Sequence, residues 1–355
     1  MLYAYANPTL YNMSEKGIEL TKMLQLVLPG IKEINNAEQI DLVFKYFRKR
    51  GVPYYSYTKE QKLVEFDKLK ESKFKEGIVN GEILQLLQGM GLAWSYFPHH
   101  WEVQVLNMKR PIDIFNNDEL LKKALKSRIK WGGKVLPHGY MTDGNLRKAI
   151  RTASGVQSVS NFRPVAAASI YYKYANKGVV WDMSAGFGGR LFGALSSDCV
   201  SKYIGTDPCS LTYIGLVNIK REFNHLPMDI ELHKLGSEKF IPNEPIDLCF
   251  TSPPYFNTEK YSDEKTQSYK LYPTQDDWIN GFLRKTINNC KHCLTHNGYM
   301  ILNIANVRTF KNLESETVRI AKTEGFNLKE ILQLRLSHIS RGGYKYEPVF
   351  VFQIR

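Results

Sequence analysis

Val179-Val180-Trp181-Asp182-Met183-Ser184-Ala185-Gly186-Phe187-Gly188-Gly189-Arg190 reads as a short apolar strand that stops at an acid, turns on glycines and opens into a helix over residues 191–196. Glycine lets the backbone turn sharply and approach a ligand closely, which sets the free N–H groups of a helix start beside it. Ile204-Gly205-Thr206-Asp207 ends a further apolar strand. A second acid therefore stands about 20 residues beyond the glycine turn, where a doubly wound sheet offers a carboxylate to ribose hydroxyls. A nicotinamide dinucleotide remains an alternative at this point, although the spacing Gly186-Phe187-Gly188-Gly189 lacks the G-x-G-x-x-G form of such sites.

Residues 246–250 form another apolar run, read as a buried parallel strand, and Thr251-Ser252-Pro253-Pro254-Tyr255 follows it. Two prolines cannot continue a ladder, so they fix a rigid turn with exposed carbonyls and an aromatic ring just beyond. The Ser252 hydroxyl and the Pro253 carbonyl are acceptors for an exocyclic amine, and the Tyr255 ring is a stacking face for a base. Taken alone, Pro-Pro-Tyr is equally a loop or a polyproline ligand.

Together these stretches resemble the S-adenosylmethionine-dependent DNA amino-methyltransferases. Residues 182–189 are similar to the family's cofactor motif, which implies cofactor contacts at Asp182, Ser184, Ala185, Gly186 and Gly188. Asp207 is similar to the acid on the ribose, and Thr251 to Tyr255 to the catalytic tetrapeptide with its preceding residue. The resemblance implies catalytic roles for Ser252, Pro253, Pro254 and Tyr255, with Thr251 on the cofactor side. Asn161-Phe162-Arg163-Pro164, leading into a helical run over 165–175, resembles the segment that lines the methionine end, implying cofactor contacts from Asn161 and Phe162. The likeness covers roughly residues 155–355. It implies an α/β fold with a Rossmann-like, doubly wound methyltransferase sheet and an antiparallel C-terminal hairpin at its edge.

Ser-Pro-Pro-Tyr is similar to the form typical of cytosine-N4 enzymes, whereas adenine-N6 enzymes more often carry Asp or Asn in the first place. The implied substrate is duplex DNA with a flipped base, and the implied cofactor S-adenosylmethionine. RNA or a protein amide nitrogen stays open as a substrate, because the turn suits any planar amine. The distant alternative is a binding protein that keeps the fold without the reaction.

Composition agrees with a nucleic-acid partner. The chain has 48 Lys+Arg against 35 Asp+Glu, a formal +13, and about half of the excess falls between Lys109 and Arg151. Lys122, Lys123, Lys126, Arg128, Lys130 and Lys134 form its densest part; with Trp131, Tyr140 and nearby glycines they suit phosphate contact, and they equally suit a solvated helix face. The long stretch 256–277 offers Asn257, Lys260, Tyr261, Ser268, Tyr269 and Tyr272 to close over a flipped base or hold the displaced strand. Arg341, beside Gly342-Gly343, belongs to a second basic loop near the end; His338 there reads as a surface histidine.

Only about 100 residues follow Tyr255, and helices at 278–294 and 314–324 with strands at 298–304, 328–334 and 348–354 occupy them. Target recognition therefore falls to a mostly helical domain, residues 1–150, ahead of a catalytic domain at 151–355. Apolar recurrence places helices in the first domain at 18–28, 37–50, 59–70, 81–87 and 118–129. Lys45 to Arg50 with the tyrosines that follow reads as a helix end stabilised by cations rather than as a base reader. Five cysteines, an odd count, suit a reducing cytoplasm. Cys290-Lys291-His292-Cys293 stands without a second ligand pair, so no metal is expected. No membrane span or signal peptide is expected either.

Overall fold

Val180, Trp181 and Asp182 are all fully buried, which is what a strand covered on both faces requires of its sequence. The computed structural model describes residues 18–19, 36–130, 140–338 and 342–354. In chain order its main sheet uses β1 (Ile78–Val79), β2 (Glu82–Ile83), β3 (Val179–Asp182), β4 (Lys202–Thr206), β5 (Asp229–His233), β6 (Ile246–Thr251), β7 (Leu294–Asn303), β8 (Phe326–His338) and β9 (Tyr344–Ile354). Side by side they run β1-β2-β8-β9-β7-β6-β3-β4-β5. Strands β3 to β7 are mutually parallel where they pair, and β9 runs antiparallel to both β7 and β8.

From β3 the chain moves outward through β4 and β5, then returns to the other side of β3 for β6 and β7. The order reverses between β3 and β6, and a doubly wound sheet opens its ligand crevice at the carboxyl ends of such a pair. This is the Rossmann-like, doubly wound sheet expected from the sequence. Register is set by the apolar pattern: Trp181 of β3 lies opposite Cys249 of β6, and Asp182 opposite Gly205 of β4.

The final hairpin is present, but it is not the edge. β2 pairs in parallel with β8 through Gln333 and Leu334, and β1 closes the sheet beyond it. Residues 81–87, read as a helix, therefore begin with a strand. Asn80 and Gly81 both have positive φ, 50° and 81°, the demand of a two-residue hairpin turn that Asn-Gly meets best.

The longer helices are α1 (Asn36–Arg50), α2 (Lys59–Lys70), α3 (Asp118–Lys130), α4 (Asp143–Arg151), α5 (Pro164–Tyr174), α6 (Gly189–Ser197), α7 (Ser210–Glu222), α8 (Arg284–Cys293) and α9 (Leu313–Thr323). Internal contacts divide the chain into Met1–Tyr54 with Trp101–Ser158, and Tyr55–His100 with Val159–Arg355. The division falls at 158/159 where 150/151 is expected, and the segment 55–100 belongs with the main sheet. The reason lies in α2. Thr58 and Gln61 form a capping box that starts it, and Phe66 packs at 4.7 Å on Phe223 and 6.3 Å on Phe192. Burying a side chain of that size stabilises by ~1.5–3 kcal/mol, so the helix stays with the residues that cover it.

The first unit is mostly helical where it is described, with two-residue strands at Ile18–Glu19, Gln104–Val105 and Tyr140–Met141. Leu121, Ala124 and Leu125 recur at helical spacing on α3 and pack with Val43, Phe44 and Phe47 of α1 and with Leu146, Ala149 and Ile150 of α4. Residues 18–19, read as the start of a helix, are a strand antiparallel to 140–141; the remainder of that reading, 20–28, lies outside the described residues. Among the described residues no helix is long and apolar enough to cross a membrane.

Candidate active site

The turn after β3 is held from behind. Asp182 is fully buried and accepts from Arg190 Nε at 2.8 Å, Tyr203 Oη at 2.6 Å, Thr251 Oγ1 at 3.0 Å and the Ser184 amide at 3.3 Å. Arg190 also donates to the Ser184 carbonyl. Asp182 and Thr251 thus brace the turn from behind and are not among the residues that line the cleft beside it. Ala185 and Gly188 likewise stand outside the lining of that cleft. Ala185 is packed away, and Gly188, at φ 69°, starts α6 with Ile219 and Phe97 filling the space where a side chain would stand. Ser184 and Gly186, by contrast, line an open cleft of about 220 Å³.

Asn161 and Phe162 line this cleft too, and the reason is a close helix contact. A Cβ on Gly189 would lie 1.8 Å from the Phe162 carbonyl, and one on Gly193 would lie 2.6 Å from the Pro164 carbonyl. Two glycines of α6 thus let α5 approach, and Asn161 Nδ2 then donates to the Phe187 carbonyl at 2.9 Å. Arg163 reaches the other way, to the carbonyls of Arg335 and Leu336.

Asp207 follows β4. Its oxygens accept from the Gly186 amide at 3.0 Å and the Cys209 amide at 2.9 Å, so one carboxylate ties the glycine turn to the start of α7. Burial pushes its pKa up to about 6 against the pull of those two amides, and the charge of Asp182 adds to the rise. Glu238, after β5, lines the same end of the cleft; burial raises it, and the Tyr272 hydroxyl donates to it at 3.4 Å.

Ser252, Pro253, Pro254 and Tyr255 all line the cleft, on the other side of the switch point. The Tyr255 hydroxyl donates to the Asn303 carbonyl at 3.2 Å and to Glu347 Oε2 at 3.3 Å, with Ser252 Oγ at 3.5 Å. Those contacts fix the ring. Phe256, the next residue, has φ 56°, a conformation that costs a non-glycine residue ~1–3 kcal/mol. Burial against Trp278 and Phe310, at 6.1 and 6.0 Å, holds it there.

Two glutamates that no sequence motif marks stand at this end. Burial raises Glu259 to about 7, although the Tyr261 hydroxyl donates to it; burial also raises Glu347, opposed by Tyr255, Asn303 and the nearby Arg163 charge. Both line the cleft. They come from separate elements, so only the fold brings them to Ser252.

The stretch 256–277 does not lie free. Glu264 accepts from the Ser210 amide and hydroxyl, both at 2.9 Å, and caps α7; Thr266 Oγ1 donates to the Pro208 carbonyl at 3.2 Å. Tyr261, Ser268 and Tyr269 consequently line the cleft beside Asp207, while Lys260 points to solvent and Tyr272 serves Glu238. Its middle part thus lies along the Asp207 end of the cleft.

The basic candidates separate in the same way. Lys122 pairs with Asp41 at 2.8 Å and sits 4.5 Å above the Phe44 ring; together with Lys45 it holds Asp41 down at about 2. Arg128 donates to Asn145 at 3.1 Å. Both are engaged within the first unit, whereas Lys123 and Lys126 are exposed on the same helix. The side chain of Lys130, together with Lys134 and Arg341, lies outside the described residues. Cys290 and Cys293 are buried in the core, the latter 3.9 Å from Cys249.

No family model and no curated protein matches the chain. Solved structures do. A TehB-like SAM-dependent methyltransferase from Corynebacterium glutamicum is 14% identical, with TM-score 0.36, over 55% of this chain and 90% of that one. A putative RNA methyltransferase from Pyrococcus horikoshii is also 14% identical, with TM-score 0.37, over 54% of this chain and 84% of that one. TrmN from Thermus thermophilus is 16% identical, with TM-score 0.33, over 54% of this chain and 49% of that one. Likenesses this distant assign neither substrate nor activity.

Proposed function

We propose that the chain is an S-adenosylmethionine-dependent methyltransferase acting on the exocyclic amine of a base in DNA, cytosine N4 before adenine N6. The observation that carries this reading is a single cleft lined at once by the glycine turn with Asp207 and by Ser252 to Tyr255. When bound, S-adenosylmethionine supplies an electrophilic methyl on sulfur. Asp207 retains acceptor capacity for ribose hydroxyls, and Ser184, Gly186, Asn161 and Phe162 form the wall along the rest of the cofactor.

The chain's task at the other end is to make a poor nucleophile attack. An aromatic amine delocalises its lone pair into the ring. Acceptors at Ser252 and the Pro253 carbonyl favour a pyramidal nitrogen whose lone pair points at the methyl, and the anchored Tyr255 ring sets the plane of the base. A bound cofactor would supply the methyl by breaking its carbon–sulfur bond to the attacking amine, whose surplus proton would leave to water, while Ser252, Pro253 and Tyr255 hold the amine in place and no covalent link to the protein is needed. Extruding the base from a duplex costs a few kcal/mol, which stacking on Tyr255 helps to offset. The first unit, with Lys123 and Lys126 exposed, supplies phosphate contacts in this proposal.

The test is product identity. Labelled S-adenosylmethionine is incubated with mixed-sequence duplex DNA, total RNA and protein, and the nucleic acids are digested to nucleosides. N4-methylcytosine from DNA is the expected product. N6-methyladenine keeps the mechanism and replaces the base, label only in RNA or protein replaces the substrate class, and no label anywhere rejects the enzyme.

A further inference from the structure

Gln267 is the one cleft-lining side chain among the described residues that combines near-complete burial, at 4% exposure, with a polar atom that finds no partner in the protein. That atom is its amide nitrogen, Nε2. A buried N–H donor left unpaired is costly, and natural folds rarely keep one unless something else completes it. The side chain does not cap the short helix Ser268–Leu271 that it precedes.

Its position is fixed on both sides. Glu264, three residues before it, caps α7 through Ser210, and Thr266 is bonded to the Pro208 carbonyl. Ser268, just after it, accepts from the indole of the buried Trp278 at 3.4 Å, and the same short helix leads to Tyr272, which donates to Glu238. Gln267 is therefore held by a rigid segment in the wall of the cleft that Asp207, Pro208, Cys209 and Glu238 also line, with Nε2 buried and unpartnered in that wall.

This end of the cleft now holds complementary groups. An adenine edge offers an amine, which needs an acceptor, next to a ring nitrogen, which needs a donor. The Glu238 carboxyl is an acceptor and Gln267 is a donor without a task. We propose that Gln267 recognises the adenine of the cofactor by donating Nε2–H to the ring nitrogen beside the exocyclic amine. This rests on the cofactor reading given above and adds the residue that distinguishes the base.

Calorimetry with S-adenosylhomocysteine, and with an analogue that carries carbon in place of that ring nitrogen, tests the contact. Gln267→Leu should weaken S-adenosylhomocysteine about tenfold while binding the analogue as the parent does. Gln267→Glu, which keeps the shape but cannot donate when ionised, should show the same loss should the Leu variant fold poorly. An unchanged affinity for S-adenosylhomocysteine, or an equal loss for both ligands, overturns the assignment and leaves the cofactor reading in place. Failure of the parental protein to bind S-adenosylhomocysteine overturns both.

Discussion

The two turns that face each other across β3 and β6 are rigid for opposite reasons. The glycine turn is made of residues with maximal backbone freedom, and it is held by what stands behind it: the Asp182–Arg190 pair, Tyr203, Thr251 and the two amides on Asp207. The proline turn carries its own restriction and needs only an anchor for Tyr255 and a pocket for Phe256. Damage to the first should therefore spread into the fold and cofactor affinity. Damage to the second should stay in the chemistry.

The largest expected effect is behind the glycine turn. Asp182→Ala leaves Arg190 buried without its partner, which costs on the order of 3–5 kcal/mol. Chemical denaturation should show that loss; a variant as stable as the parent would remove the hub from the account.

Next comes Asp207, where the proposed cofactor and the fold share one carboxylate. Asp207→Ala should weaken S-adenosylmethionine by roughly 1.5–3 kcal/mol in calorimetry. It should also lower the melting temperature, since the Gly186 and Cys209 amides lose their acceptor. The pH dependence has a defined sign. Its pKa is raised from 3.8 to about 6 in the fold, so the ionised acceptor is lost as pH falls through about 6. Cofactor affinity should be level above that value and fall toward about tenfold per unit below it. The free protein should instead gain stability between pH 6 and 4, where the folded state alone holds the extra proton. Asp207→Asn should abolish both trends.

The proline turn should respond more narrowly. Tyr255→Ala removes the stacking face and should cost ~1–3 kcal/mol in capture of the base with little change in melting temperature. Tyr255→Phe keeps the face and loses only the anchor to Asn303 and Glu347, so a smaller loss of turnover is expected. Equal losses in the two variants would mean that the anchor, not the stack, matters.

The smallest effects concern α3. Replacing Lys123 and Lys126 with Gln should flatten the salt dependence of DNA binding by about one unit of slope for each phosphate that is no longer neutralised. Lys122→Gln breaks a half-exposed pair with Asp41, which is worth at most ~1 kcal/mol of stability, and should leave the slope alone. A flatter slope in Lys122→Gln would reverse that division.

The sequence makes the two turns legible because each concentrates its signal in a few adjacent residues: an acid and glycines after an apolar run, and prolines after another. The C-terminal strands follow from the same short-range pattern. What escapes is what the fold assembles from a distance. Glu259 and Glu347 meet near Ser252 from different elements, and Gln267 acquires meaning only through burial beside Asp207. Asp182 is legible as part of a motif, but its four partners behind the turn are not. The Asn80-Gly81 dipeptide is itself a local signal, because both residues readily take the positive φ of a two-residue hairpin turn, and apolar recurrence at 81–87 obscures it.

Single-turnover methyl transfer from labelled S-adenosylmethionine to duplex DNA tests the division of labour most directly, run across cofactor concentrations for the parent, Ser252→Ala and Asp207→Ala. Ser252→Ala should reach a lower maximal rate with the parental half-saturating concentration, because it loses an acceptor aimed at the reacting amine. Asp207→Ala should need much more cofactor and then approach the parental rate. A parental maximal rate in Ser252→Ala would place the reaction away from the proline turn and contradict the account.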